Sequence, residues 1–276
     1  MTEMSHVVVR SKGKDENGAT RINEDEEYFY CDGELHREDG PAVVKHHYGF
    51  HRTEEYYYRH GKLDRKSGPA VIKHDALSRT TEEGYYRNGK LDRKNGPAVI
   101  RHNADGSIEE EYYQGGKLFR KNGPQIVKRY ADGSTEEQYY ENGVDDRPGP
   151  MHRFGGPAYI KRRADGSIKE EGYFYGGVPR DFKFGPAVIK HNADGSTVKE
   201  YCQHGTTVKT EHLNSKGAVV KTEGLTPGEQ CGQKPTSPSV CSGPNRYAEL
   251  KKATAQSGIA SAPRAPQKPR APGMAR

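Results

Sequence analysis

The chain has 276 residues, of which 31 % are hydrophobic, and its mean hydropathy is −1.06. So low an apolar fraction argues against a thick two-layer hydrophobic core, and no stretch approaches the roughly 20 apolar residues that span a bilayer. The formal net charge is +6, but residues 224–276 hold eight Lys or Arg and two Asp or Glu, which leaves 36 basic and 36 acidic residues before them. The net charge therefore says little about the partners of residues 1–223.

The N-terminal segment, residues 1–24, is polar and aperiodic. It predicts a flexible lead, or one weak edge strand at His6–Arg10. The segment has no apolar signal core, and the four cysteines of the chain show no CxxC spacing. We therefore expect a cytoplasmic protein without a zinc site or a disulfide framework, with specialised secretion left open.

Residues 25–223 form a repeat array. A Gly-Pro step recurs at intervals of 28, 28, 27, 33 and 29 residues, each time inside the same longer phrase, which in the third copy reads "EEGYYRNGKLDRKNGPAVIRHNADGS". The glycines of this step are Gly40, Gly68, Gly96, Gly123, Gly156 and Gly185. Self-similarity at a fixed period outranks the other signals in the sequence and predicts stacked structural units.

Each unit carries two turn signals. The first is a dipeptide at 32–33, 60–61, 88–89, 115–116, 142–143, 176–177 and 204–205, and the second is an Asp-Gly step at 105–106, 132–133, 165–166 and 194–195. These signals predict an all-β fold: an elongated antiparallel β-meander or solenoid of six to seven two-stranded units of about 28 residues. The last unit loses the Gly-Pro step and is predicted to cap the array.

The turns also predict strand register. A two-residue type I′ turn at 88–89 places Tyr86 opposite Leu91, and the same arithmetic pairs Tyr30 with Leu35, Tyr58 with Leu63 and Tyr113 with Leu118. We assign structural roles to these four tyrosines, to Tyr140 and to the six Gly-Pro glycines. At the second turn, a two-residue loop sets Arg101 opposite Glu110, Lys128 opposite Glu137 and Lys161 opposite Glu170, whereas a four-residue loop shifts this pairing.

Residues 224–276 are rich in Pro, Ala, Ser, Lys and Arg and end in "SAPRAPQKPRAPGMAR". This composition predicts a disordered basic tail. The tail either contacts nucleic acid, an acidic membrane or a proline-recognising domain, or only adds solubility. Any contact with an anionic surface is expected to be weak and strongly dependent on salt.

The units "YYRNGKLDRKNGPAVI" and "GELHREDGPAVV" resemble the MORN-like variant repeats, whose phrase is YYxNGKLHRxxGPA and which occur in bacterial, phage and giant-virus proteins. The resemblance covers about residues 26–205. It implies β-hairpin arrays that act in contacts with proteins or membranes. Some members of this type are antitoxin-like.

Two columns of basic residues are candidate binding surfaces. The first contains Lys45, Lys73, Arg101, Lys128, Lys161 and Lys190, and the second contains His46, His74, His102, Arg129, Arg162 and His191. They form either an anion-binding stripe or charges neutralised by the Glu-Glu pairs of neighbouring strands. Neighbouring members of a column are expected to be about 10 Å apart, too far for shared zinc coordination.

The remaining motifs predict no chemistry. The tyrosines either hold the hairpins together or stack sugars, choline-like cations or bases. The Asp-Gly-Ser triplets lack the dense acidic spacing of a calcium loop. We therefore expect no enzyme activity, no catalytic or metal-binding residues, no cofactor and no small-molecule substrate.

These expectations favour a non-enzymatic scaffold that binds an unidentified protein partner through an extended β surface. Two alternatives stay open. One is an antitoxin-like or host-directed effector protein, and the other is attachment to a membrane or nucleic acid through the basic tail.

Overall fold

The computed structural model describes residues 3–14, 20–77, 79–141, 149–180 and 182–224. Almost all regular structure in these residues is β-strand, with one short 3-10 helix at Phe182–Phe184. The strands are β1 (Met4–Lys14), β2 (Thr20–Cys31), β3 (Glu34–Leu35), β4 (Val43–His47), β5 (Arg52–Tyr56), β6 (Tyr58–Arg59), β7 (Lys62–Leu63), β8 (Val71–His74), β9 (Thr80–Gly84), β10 (Tyr86–Arg87), β11 (Lys90–Leu91), β12 (Val99–His102), β13 (Ile108–Glu111), β14 (Tyr113–Gln114), β15 (Lys117–Leu118), β16 (Ile126–Arg129), β17 (Thr135–Gln138), β18 (Tyr159–Arg162), β19 (Ile168–Gly172), β20 (Phe174–Tyr175), β21 (Val178–Pro179), β22 (Val188–His191), β23 (Thr197–Gln203), β24 (Thr206–Leu213) and β25 (Val219–Gly224).

Sixteen of these strands form one long antiparallel sheet in which each strand pairs with the next sheet strand along the chain. This meander confirms the all-β fold class predicted from the repeats. We number the units by their Gly-Pro step, so that unit one contains Gly40 and unit six contains Gly185. From unit one to unit six, each unit contributes two strands to the sheet, such as β12 and β13 in unit three.

A short hairpin follows the second sheet strand of most units. Hairpins β6–β7, β10–β11, β14–β15 and β20–β21 form separate two-stranded pairs, and β3 pairs with the end of β2. Both residues of each turn have positive φ, for example 49° at Asn88 and 79° at Gly89, as a type I′ turn requires. The predicted pairs of tyrosine with leucine are all confirmed, including Tyr86 with Leu91. The turn predicted at 142–143 lies outside the described residues.

The hairpins form a second row that covers one face of the sheet. Successive hairpins are joined by backbone hydrogen bonds, since the Gly89 N–H donates to the Leu63 carbonyl at 2.8 Å and the Gly116 N–H donates to the Leu91 carbonyl at 2.9 Å. The second tyrosine of units one to five packs inward, and Tyr58 is only 1 % exposed. Beneath the hairpins, the alanine and first valine of the Gly-Pro-Ala-Val segment are almost fully buried in units one, two, three and six. The turn signals predicted two strands per unit in the sheet. The separate row of hairpins that covers the sheet was not predicted.

The predicted register at the second turn is wrong in two of the three named pairs. Arg101 lies opposite Glu109 and Lys128 lies opposite Glu136, whereas Lys161 does lie opposite Glu170. The reason is a five-residue loop, which is longer than either length considered. In unit three it is closed by a 2.8 Å hydrogen bond from the Asn103 N–H to the Ser107 carbonyl.

An arginine in each unit makes the same two contacts. In unit three, Arg93 Cζ lies 3.7 Å from the centroid of the Tyr85 ring, and its Nη1 donates to the Pro97 carbonyl at 3.0 Å. The ring contact recurs at 3.7–4.1 Å for Arg37 on Phe29, Arg65 on Tyr57, Arg120 on Tyr112, Arg153 on Tyr139 and Arg180 on Tyr173. Each of these arginines also donates to the carbonyl of its Gly-Pro proline, namely Pro41, Pro69, Pro124, Pro157 or Pro186. We call this arrangement the arginine clamp.

The clamp explains the glycine of the Gly-Pro step. Gly96 has a φ of 121°, and a Cβ added there would lie 3.3 Å from Arg93 Cζ. A side chain at this position would therefore be strained and would press on the guanidinium. The proline that follows needs no hydrogen-bond partner for its nitrogen, and its carbonyl accepts the arginine.

The ends of the sheet differ from expectation. Of the two alternatives for residues 1–24, a flexible lead or an edge strand at His6–Arg10, the structure has the strand, but longer: β1 pairs with β2 and is held by a stack of His6 on Phe29 at 4.3 Å and an ion pair of Arg10 with Asp25 at 3.1 Å. Cys202 is fully buried and disulfide-bonded, which differs from the expectation of reduced cysteines, whereas Cys31 is free. The tail predicted over 224–276 lies outside the described residues apart from Gly224.

We predict that removing one clamp destabilises the array. The change Arg93→Ala is expected to lower the free energy of unfolding by about 2 kcal/mol, because it removes a cation–π contact and a charged hydrogen bond. Urea denaturation of the full-length protein, followed by circular dichroism, measures this change. The control is Lys94→Ala, since Lys94 is the exposed neighbour of Arg93 and has no ion pair or hydrogen bond to the residues that the structure describes. Its effect is expected to stay within about 0.5 kcal/mol, and an equal loss in both variants would contradict a special role for the clamp.

Candidate functional site

The first predicted basic column lies on the sheet face that the hairpins cover. Its side chains are 13–33 % exposed where they form ion pairs, and their partners are acidic residues of neighbouring strands. Lys73 lies 3.3 Å from Glu82, and Lys161 lies 2.7 Å from Glu136. Five members of this column are therefore part of an internal ion-pair ladder, and the sixth, Lys128, has its Nζ 4.9 Å from the centroid of the Tyr130 ring.

Arg101 is the centre of this ladder in unit three. It pairs with Glu111, with Glu109 at 3.1 Å and with Glu82 at 3.8 Å. Burial alone would lower the pKa of the Arg101 guanidinium, but these three carboxylates raise it above its ordinary value. Tyr113 adds a hydrogen bond, because its hydroxyl donates to Glu111 at 2.9 Å. The charge of the Arg101 guanidinium is thus satisfied inside the array.

The second predicted column lies on the opposite face of the sheet, because side chains alternate along a strand. Arg129 pairs with Glu110 at 3.3 Å, Arg162 pairs with Glu137 at 3.3 Å, and His46 Nδ1 lies 3.3 Å from Thr53 Oγ1. The two columns do not combine into one stripe. Arg129 and Arg162 are thus paired with glutamates of the neighbouring strand, whereas the described contact of His46 is with a threonine.

The structural residues and the triplets also serve the fold. The five inward tyrosines are at most 8 % exposed and so offer no ring to a sugar or base. Each Asp-Gly-Ser aspartate accepts a hydrogen bond from its own loop, as Asp105 does from the Ser107 N–H at 2.9 Å. That bond and the Ser107 hydroxyl lower the pKa of Asp105. Within the described residues, no group of three or more His, Cys, Asp or Glu is arranged to hold a metal ion.

A groove recurs on the hairpin side, between the clamp loop of one unit and the hairpin of the next. Between units one and two it has a volume of about 540 Å³ and is lined by charged residues such as Asp39, Arg59 and Lys66. Between units four and five it has about 520 Å³ and joins Lys121 to Phe154. The same concavity therefore recurs between units, whereas the residues that line it differ.

The groove between units five and six is the largest of these and is mainly apolar. It has a volume of about 950 Å³, and Phe154, Tyr175 and Phe184 on its rim are 86, 66 and 66 % exposed. His152 lies inside it, with its ring 5.2 Å from the Phe154 ring and 4.6 Å from the Tyr175 ring. Val178 completes the rim and is 57 % exposed. We call these residues the aromatic groove.

Three rim residues of the aromatic groove occupy positions at which units two and three have charged residues. Phe154 follows the clamp arginine, where units two to four have lysine. Tyr175 occupies the position of Arg59 and Arg87, and Val178 occupies that of the lysine before the hairpin leucine. Three positions that hold charged residues in units two and three therefore hold aromatic or apolar residues at this one site.

The aromatic groove was not predicted from the sequence, because the prediction was based on the residues that the units have in common. The signal was the departure from the phrase in "RFGGPA" and "FYGGVPRDFKFGP". Recognising the site needed the fold, since Phe154 and Tyr175 belong to different units and meet only when the hairpins stack.

Comparisons with known proteins add little. No protein-family model matches the chain, and no curated protein matches it. One similar solved structure is a point mutant of the TCP10 domain of Danio rerio CPAP, with 14 % identity and a TM-score of 0.32, covering 78 % of this chain and 95 % of that chain. A similarity at this TM-score supports no statement about function. In the part of the chain that the structure describes, no helix is long and apolar enough to cross a membrane.

The internal ladder predicts unequal effects for two arginines of the basic columns. The change Arg101→Ala leaves the buried Glu111 without its cation and is expected to cost about 3–5 kcal/mol of unfolding free energy. The control Arg129→Ala removes an exposed ion pair and is expected to cost less than about 1 kcal/mol. Denaturant unfolding of both variants makes the comparison. A small, equal loss would show that the ladder is not buried.

Tyrosine burial predicts loss of stability at high pH. Burial raises the pKa of Tyr58 to about 12, from an ordinary value near 10. Below pH ~10 both the folded and unfolded states keep the proton, so the contribution is complete. Between about pH 10 and 12 the unfolded state loses its proton first, so stability falls, by about 3 kcal/mol for Tyr58 alone. Circular dichroism and tyrosinate absorbance are recorded together on raising the pH. The last part of the tyrosinate absorbance, from the buried rings, should appear with the loss of the sheet signal, and ionisation of all tyrosines in an intact sheet would contradict this.

Proposed function

We propose that this chain is a non-enzymatic repeat scaffold of the MORN-like type that binds another protein through its hairpin row. The aromatic groove is the binding site in this proposal. The observation that carries it is the group of three exposed rings around one concave site. Large apolar groups gathered on the surface of a polar protein are typical of an interaction site.

The size of the aromatic groove is sufficient for binding. Burying the exposed parts of three aromatic side chains, about 200 Å² each, at about 25 cal/mol per Å² contributes roughly 10 kcal/mol before the costs of association. Association itself costs at least about 4 kcal/mol. The groove therefore supports a weak to moderate contact on its own, and additional contacts along the hairpin row determine whether the complex is tight.

The proposal of a non-enzymatic role rests on how the polar side chains are used. Arg101, Glu111 and their equivalents pair with each other inside the array, and the clamp arginines hold the hairpins. The same residues recur in unit after unit, whereas catalysis needs a distinct constellation at one place. Attachment through the tail concerns residues outside those described and stays a prediction, as does an antitoxin-like or effector role.

The test replaces the groove rim with residues that other units already carry. The triple variant Phe154→Lys, Tyr175→Arg and Val178→Lys is expected to fold, because units two and three have these residues at the equivalent positions. Full-length protein is used to capture partners from native lysate, and the affinity of each captured protein is then measured with purified components. We expect the triple variant to lower that affinity by at least about 100-fold, as loss of a hot spot does.

The matched control is Phe50→Lys. Phe50 is 82 % exposed, like the groove rim, but it lies in the turn after β4, away from the hairpins. This variant should bind as the wild type does. Partners that bind the triple variant as tightly as the wild type would refute the groove as the binding site.

A further inference from the structure

Six lysines project from the hairpin row of units two, three and four. They occupy two equivalent positions per unit, one before the hairpin leucine and one after the clamp arginine: Lys62, Lys66, Lys90, Lys94, Lys117 and Lys121. All six are exposed. None has an ion pair or hydrogen bond recorded within the described part of the chain, in contrast to the internal ladder. We call them the lysine row.

The lysine row includes an arrangement that works against folding. Lys62 lies directly opposite Arg59 in its hairpin, and Lys90 lies directly opposite Arg87. Like charges in direct cross-strand pairs are destabilising. A pair of like charges that opposes folding and is kept in two successive units indicates a functional role. An anionic partner bound to these side chains would offset the repulsion.

The charge of the lysine row is not dictated by the framework. Unit one has Glu34 and Glu38 at the two equivalent positions, and its clamp of Arg37 on Phe29 is intact at 3.9 Å. Unit six has Val178 at the first position and keeps its clamp at 4.1 Å. These positions therefore accept acidic, basic or apolar side chains, and the row of lysines reflects binding rather than folding.

The lysine row runs into the aromatic groove. Lys121 and Phe154 line the same concavity between units four and five, and Phe154 also lines the aromatic groove between units five and six. Phe154 occupies in unit five the position that Lys121 occupies in unit four. A single bound segment can thus contact both surfaces without crossing another part of the array.

We infer that the occupant is an acidic protein segment whose aspartates and glutamates lie along the lysine row and whose aromatic or aliphatic side chains enter the aromatic groove. This inference rests on the proposed function and specifies the partner. Three units at two sheet strands each span about 30 Å, which an extended segment covers with about nine residues. A few more residues reach the groove.

The groove favours a protein segment over a nucleic acid. Proteins that stack bases place free cations beside the rings to hold the phosphates. Here Arg153 is engaged with Tyr139 and the Pro157 carbonyl, Arg180 is engaged with Tyr173 and the Pro186 carbonyl, and Lys183 lies over Phe184. Val178 and Pro179 add aliphatic surface, which suits side chains of a peptide.

The experiment selects peptides from a random display library of about fifteen residues, long enough to span both surfaces, on the full-length protein. Counter-selection uses the groove variant with Phe154→Lys, Tyr175→Arg and Val178→Lys. Selected peptides are synthesised, and their affinities are measured at low and high salt. We expect them to be enriched in Asp and Glu together with aromatic or aliphatic residues, and to bind more weakly as salt screens the charges.

A second variant tests the lysine row directly. Lys66→Glu, Lys94→Glu and Lys121→Glu reproduce the residue that unit one has at this position and are expected to weaken binding of the selected peptides at least tenfold at low salt. The control Lys12→Glu, Lys169→Glu and Lys216→Glu makes the same change in net charge at exposed lysines outside the row. It should leave the affinity within about twofold, because screening limits the reach of distant charges.

The other outcomes separate the inference from the proposed function. Peptides that depend on the groove but lack acidic residues, and that bind the row variant normally, overturn the inference and leave the scaffold proposal standing. No enrichment over the groove variant overturns both. Single- or double-stranded oligonucleotides that bind more tightly than the selected peptides, and lose affinity in the row variant, overturn the inference in favour of nucleic acid.

Discussion

The arginine clamp is the contact on which the rest of this array depends. Each guanidinium lies on an aromatic ring that precedes its hairpin and bonds the carbonyl of the proline that follows it. Because the two contacts join the start of the hairpin to the start of the next sheet strand, they fix how the hairpin lies on the sheet. The covered face, the inward tyrosines and the grooves between units all follow from that position.

Variation in chain length shows that the clamp is kept while other features change. The interval between Gly123 and Gly156 is 33 residues, yet Arg153 lies 3.9 Å from the Tyr139 ring, close to its distance in shorter units. In unit six the arginine comes one residue earlier relative to the hairpin, and Arg180 still lies 4.1 Å from the Tyr173 ring. The additional residues precede the clamp arginine in unit five and follow it in unit six, and the clamp contact is kept in both units.

The interior beneath the hairpins is unusually polar, which explains how a chain with 31 % hydrophobic residues forms a stable array. Valine and alanine fill the space under the Gly-Pro steps, but the rest of the covered face holds glutamate, lysine or arginine, and tyrosine. Buried charges are tolerated only when they are paired and hydrogen-bonded. Burial raises the pKa of Glu26 and the hydrogen bonds from Lys45 and Tyr28 lower it, with a net lowering that favours the charged form. The charges of the ladder are thus paired with each other inside the array, so few cations of the first basic column remain to bind a ligand.

The parts of the fold that sequence predicted are those fixed by neighbouring residues. The dipeptides at the first turn require positive φ, so their loop length and the pairing of Tyr86 with Leu91 followed directly. The Asp-Gly step at the second turn also has glycine at positive φ, but the loop length is set by hydrogen bonds between Asn103 and Ser107, and the register of Arg101 was missed by one residue. Periodicity placed the basic residues in columns without indicating which face of the sheet is covered, because that depends on the clamp.

The repeat phrase contains the residues that form the framework. The residues after the clamp arginine and beside the hairpin turn are not required by the framework. Both positions are glutamate in unit one and lysine in units two to four, whereas the clamp arginine is followed by Phe154 in unit five and the hairpin position is Val178 in unit six, so the surface chemistry changes along the array while the clamp is kept.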